Sequence, residues 1–120
     1  MPTLLVVAVA GAVGAAVRYQ IGVIVGVRSF PWPTLGINLT GCLLLAALLA
    51  GPGANRWSPT TTTALAVGLL GAFTTFSTFG YETFTLLRTE RLVSAAMYMA
   101  LSLVGGIAMT AVGYLLGRNL

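Results

Sequence analysis

Histidine, lysine and aspartate are missing from this chain, whose charged side chains are six arginines and two glutamates. That inventory leaves no catalytic triad, no zinc-ligand set and no pair of carboxylates placed for acid–base work. The one cysteine, Cys42, lies inside an apolar run, so no intrachain disulfide forms and the residue reads as a small core side chain. The glycines compose no phosphate-binding loop after a strand. Charged residues make up only 7% of the chain, and the arginines are scattered between apolar stretches, which argues against a nucleic-acid face. Enzyme readings fail on this inventory.

What is abundant is apolar. Hydrophobic residues are 58% of the 120 positions, a composition that belongs to an integral membrane protein. A spanning helix takes about 20 apolar residues. The chain therefore reads as one all-α membrane domain with four spans, over about residues 3–27, 34–50, 60–86 and 93–116. The first span reads as retained rather than as a cleaved signal, because Arg18 follows the apolar run instead of preceding it.

Span one is rich in small residues, from Gly11 to Ala16 and then Gly22 and Gly26, a pattern that favours close helix contact in lipid. Arg18 interrupts it. An arginine at membrane depth costs about 2.5–3.5 kcal/mol unless it snorkels or finds partners. Two readings stay open: a side chain reaching the interface, or a structural or vestibule charge facing carbonyls or a wet cavity. The segment RSFPWP (Arg28–Pro33) reads as the first turn, with Trp32 as an interface anchor. On span two, Thr34, Asn38 and Cys42 recur every four residues with Gly41 alongside. The Asn38 carboxamide is either paired between helices or an N–H donor for a permeant anion. GPGANRWSP (Gly51–Pro59) is the second turn, and residues 87–92 the third. On span four, Ser94, Tyr98, Ser102, Gly106 and Thr110 form a polar or small stripe, suited to helix contact or to a ladder of hydroxyl donors.

The stretch GLLGAFTTFSTFGYE (Gly68–Glu82) sets the reading of the whole chain. Thr74, Thr75, Ser77 and Thr78 place four hydroxyls around Phe76, with Phe79 following. Threonine is stiff at χ1 and its hydroxyl competes for backbone hydrogen bonds, so the third helix is expected to break here. Broken backbone at membrane depth is tolerated only against protein or a wet cavity. Unwound carbonyls attract cations, whereas hydroxyls, amide N–H groups and phenyl edges present positive charge to anions. The membrane-depth donors Thr34, Asn38, Thr75, Ser77, Thr78, Tyr98 and Ser102, with Phe76 and Phe79, suit a small, strongly hydrated anion whose water shell they replace. Glu82 reads either as a carboxylate in water at the helix end or as a vestibule or proton-linked group.

Taken together, GAVGAAVRY at Gly11–Tyr19, TLGINLTG at Thr34–Gly41, the Gly68–Glu82 stretch, and Tyr98 and Ser102 resemble the Fluc (CrcB-type) fluoride channels over nearly the whole chain. The resemblance implies a dual-topology antiparallel homodimer of four-helix subunits in the cell membrane, with two pathways that export fluoride from the cytoplasm. It also implies a structural, non-transported sodium ion (Na+) held by the backbone carbonyls of Gly71 and Thr74 from each chain. By the same resemblance Phe76 and Phe79 line the path through their ring edges, Asn38 donates from span two, and Tyr98 and Ser102 continue the track. Ala72 stands where many relatives have a second glycine and Gly106 where some have a serine, which leaves the length of the hydroxyl track open. Fluoride, the lipid bilayer and a second copy are the partners implied; nucleic acid and soluble proteins are not.

The arginine distribution fits dual topology. Arg28, Arg88 and Arg91 fall on one side, against Arg56, Arg118 and the terminal amine on the other, so orientation is weakly specified. Two rivals share the size. A small multidrug-resistance-type exporter carries an essential glutamate in its first span, where this chain has Arg18. A non-transporting assembly subunit would use every polar stripe for helix contact.

Overall fold

The computed structural model describes residues 2–120, and among the described residues it is helical throughout, with no strand. Four helical stretches are long and apolar enough to cross a membrane: Thr3–Val25, Trp32–Asn55, Pro59–Arg88 and Leu92–Gly117. The first is α1 (Thr3–Val25). The second comprises α2 (Trp32–Ala50) and the single turn α3 (Pro52–Asn55). The third is composite: α4 (Pro59–Thr63), a π-helical segment (Ala64–Leu70), α5 (Gly71–Phe73) and α6 (Phe76–Arg88). The fourth is α7 (Leu92–Gly117).

Three details of the turns differ from the sequence expectation. Helix α2 starts at Trp32 and takes Pro33 into its first turn, because a proline there forfeits only an N–H that has no intrahelical partner anyway. The turn after span two holds the helical turn α3, and α6 runs on to Arg88 before the chain reverses at Glu90, a non-glycine residue with φ of 61°.

Small residues decide which helices lie together. Helix α7 packs along α2, and Gly113 sits so close to the Leu43 carbonyl that any Cβ would overlap it. Helix α1 packs along the first half of the third stretch, where Gly14 meets the Leu69 carbonyl in the same way. In lipid these backbone approaches replace a hydrophobic drive with close van der Waals contact. The buried apolar core is correspondingly small: Leu35, Leu86, Ala95 and Tyr98 form one cluster, with Phe30, Leu39 and Phe79 packed on it, and Ile37, Ala64 and Leu70 are buried apart from it. Most large apolar side chains point outward, as lipid-facing helices require.

Candidate functional site

The site is organised by where the backbone N–H groups around Thr74 and Thr75 go. Both residues leave the helical region, Thr74 at φ −81°, ψ 158° and Thr75 at φ −150°, ψ 119°. In an unbroken helix the Thr75 N–H would bond the Gly71 carbonyl and the Thr78 N–H the Thr74 carbonyl. Neither does. The Thr75 N–H donates to Asn38 Oδ1 at 2.8 Å, and the Asn38 amide returns a bond to the Thr75 carbonyl at 3.0 Å. The Thr78 N–H donates to Thr75 Oγ1 at 3.2 Å, which makes Thr75 the N-cap of α6. The carbonyls of Gly71 and Thr74 thereby lose their helical donors.

The Asn38 side chain thus acts as a surrogate peptide group from α2, satisfying both backbone groups of one residue in the interruption. Of its two amide N–H groups, one is used and the second remains for another acceptor. The Thr74 hydroxyl is spent on the Leu70 carbonyl at 3.0 Å, and the Thr75 hydroxyl donates to that of Thr78 at 3.1 Å.

Asn38, Thr75, Phe76, Phe79 and Ser102 share the wall of one open cavity of about 340 Å³, which Gly71 and Thr74 also border. The Ser102 hydroxyl is buried and has no hydrogen-bond partner among the described residues. A serine on a helix usually donates to a carbonyl one turn back; among the described residues this one does not. The two phenyl rings lie 5.8 Å apart, and Phe79 meets Tyr98 edge-on at 5.0 Å. Phe76 is 83% exposed, so its ring projects from the helix surface.

The remaining sequence candidates distribute over two further cavities. Arg18, Thr34, Thr75 and Thr78 border one of about 320 Å³ between α1, α2 and the interruption. Arg18 Nε donates to the Ala72 carbonyl at 3.1 Å, so the guanidinium is turned toward the backbone of the third span. Thr75 borders both cavities, so the Asn38–Thr75 pair stands at their partition. The larger cavity, about 900 Å³, is lined by Thr34, Glu82, Arg28 and Arg91. Arg91 is bonded to the Ser29 carbonyl, and Arg28 Nε to the Val25 carbonyl at 3.1 Å. Tyr98 is fully buried and gives its proton to Glu82 Oε1 at 2.8 Å, so its hydroxyl is committed within the protein. Ser77 is exposed, with its hydroxyl 3.4 Å from that of Thr75, and lies outside these cavities.

Residues 5–114 match the family described as CrcB-like protein, Camphor Resistance (CrcB). The chain belongs to the CrcB family. It is 41% identical to the fluoride-specific ion channel FluC of Paracoccus denitrificans, over 98% of this chain and 96% of that protein. Identity to the FluC of Chloroflexus aurantiacus is 42% over 98% and 97% of the two chains, and to that of Idiomarina loihiensis 44% over 85% and 81%. With four helices able to span a bilayer and relatives that are ion channels, this CrcB chain is a multi-pass membrane protein.

Two features of the CrcB chain went unread in its sequence. The Ala72 carbonyl, partner of Arg18, is a backbone group carried by an unremarkable residue. Cys42, read as a core residue, borders the 340 Å³ cavity opposite Gly106, where a Cβ would stand 3.6 Å from its sulfur. Its spacing of four from Asn38 was the available pointer, since a helix puts both on one face.

Proposed function

We propose that this protein is a fluoride-specific channel that lets fluoride leave the cytoplasm passively through the cell membrane and so lowers its toxicity. The observation that carries the reading is the 340 Å³ cavity, where an unpartnered buried hydroxyl, a spare amide N–H and two phenyl rings share one wall. Every group there is neutral. Neutral donors replace the shell of a small hydrated anion without holding it too tightly to leave, which conduction requires. The names of the relatives give the same ion.

The working unit is an antiparallel homodimer with two pathways. Support comes from the exposed Phe76 ring and the exposed Gly71, both on a span interior that a second copy would cover, and from the near-even arginine distribution. The helical interruption at Thr74–Thr75 then lies at membrane depth, facing the twofold axis.

A structural sodium ion belongs to the same reading. The fit rests on the diverted N–H groups: the Gly71 and Thr74 carbonyls have lost their helical donors, and both residues border the cavity. Carbonyl oxygens suit a hard cation, and two copies would supply four. Among the described residues no cluster of three His, Cys, Asp or Glu offers a competing site. Bound there, sodium would supply fixed positive charge that ties two interrupted helices together.

Fluoride efflux from liposomes, read by a fluoride electrode with chloride as the control and sodium varied, tests the proposal. Fluoride flux without chloride flux is expected. Reconstituted protein that passes neither ion would return the chain to a non-transporting assembly role.

A further inference from the structure

A helix that stops at Phe73 strands its last carbonyls, and each must find a donor or face a cavity. The Leu70 carbonyl receives both the N–H and the hydroxyl of Thr74, at 3.1 and 3.0 Å. The Gly71 carbonyl has lost its donor to Asn38. The Ala72 carbonyl is taken by a side chain 54 residues away, the Nε of Arg18 at 3.1 Å.

We infer that Arg18 is a positioning residue for the ion-binding segment: it caps the first half of the third span from α1 and leaves the flanking Gly71 and Thr74 carbonyls open. The inference rests on the sodium reading above. Its physics is local. A peptide plane carries the carbonyl of one residue and the N–H of the next, so holding the Ala72 carbonyl fixes the Ala72–Phe73 peptide between the two that bear the proposed ligands. A cation at a helix C-terminus also meets the negative end of the helix dipole. Arg18 is half-buried, and it borders the 320 Å³ cavity with Thr34 and Thr78. Its backbone is held beside the break by Gly14, one turn earlier, where any Cβ would overlap the Leu69 carbonyl and crowd the Phe73 nitrogen.

Position and charge predict opposite signs, which makes the inference testable. In glutamine the side-chain nitrogen occupies the place of arginine Nε, so Arg18→Gln keeps the donor and removes the charge. Arg18→Met keeps the length and removes both. The measurement is the sodium concentration that half-stabilises the detergent-solubilised dimer against thermal unfolding, with choline as the replacing cation, alongside fluoride efflux. Losing a charge-assisted hydrogen bond predicts that Arg18→Met raises this concentration about tenfold or more. Arg18→Gln is expected within about threefold of the parent. If the guanidinium acted only as a charge, both substitutions would relieve its repulsion of sodium and lower the concentration, which overturns the inference. An Arg18→Gln as impaired as Arg18→Met overturns it too. Should Arg18→Met fail to assemble, Arg18→Gln decides alone: within threefold upholds the inference, anything higher overturns it. A parent protein indifferent to sodium removes the sodium reading and this inference together, whereas a sodium-dependent parent with an unaltered Arg18→Met removes this inference only.

Discussion

Replacing Asn38 by leucine, similar in size but without polar atoms, should undo the interruption of the third span. The side chain makes two hydrogen bonds with one residue, accepting from the Thr75 N–H at 2.8 Å and donating to the Thr75 carbonyl at 3.0 Å. Each backbone group left unpaired away from water costs about 1–3 kcal/mol, so the gross loss is about 2–6 kcal/mol. Part returns, because the freed Thr75 N–H can swing back to the Gly71 carbonyl and extend the helix. That repair closes the opening that exposed the carbonyl. We expect a net destabilisation of about 2–4 kcal/mol, roughly a thirty- to thousandfold change in the folding equilibrium. Equilibrium unfolding with a rising mole fraction of dodecyl sulfate measures it, and fluoride efflux should vanish in the fraction that still folds. Stability within about 0.5 kcal/mol of the parent together with retained efflux would refute the claim that Asn38 stands in for the missing peptide partner.

Ser102→Ala removes a buried hydroxyl that has no partner, so it should leave stability unchanged or raise it by up to about 1 kcal/mol while slowing fluoride efflux; the two assays together separate pathway from packing. Phe76→Ile and Phe79→Ile should each abolish fluoride efflux with the dimer intact on size exclusion. Phe79→Ile should also cost about 0.5–1.5 kcal/mol from its lost edge contact with Tyr98, and unchanged efflux in both would contradict an aromatic pathway. Gly14→Val should lower stability by at least about 1–3 kcal/mol, because even a Cβ overlaps the Leu69 carbonyl; thermal unfolding reads it, and Gly22→Ala, where nothing stands within 4 Å, is the control.

Much of the architecture was legible because lipid imposes few choices. Apolar stretches of sufficient length can only be helices, and turns fall where proline, arginine and tryptophan interrupt them. Helix limits moved from those read off the sequence: α1 stops at Val25 rather than 27, α2 starts at Trp32 rather than Thr34 because a first helical turn tolerates Pro33, and α6 runs on to Arg88 rather than 86. Side-chain chemistry was legible in kind. The threonine run was visible as poor helix interior, and Asn38 as a carboxamide needing partners. That it pairs with Thr75 was not, because a spacing of four places residues on a face without saying what lies opposite.

The sequence by itself determined the class of the molecule: four apolar helices, no acid–base inventory, and a set of neutral donors concentrated near one aromatic pair. Those follow from side-chain solubility and residue counts, which need no coordinates. Only the tertiary structure decided how backbone atoms are assigned. It paired the Thr75 backbone N–H and carbonyl with Asn38, the Ala72 carbonyl with Arg18 and the Tyr98 hydroxyl with Glu82, and among the described residues it left the Ser102 hydroxyl with no partner. The reason is that a hydrogen bond between helices depends on their separation and rotation, which here are set where Gly14 and Gly113 let backbones touch.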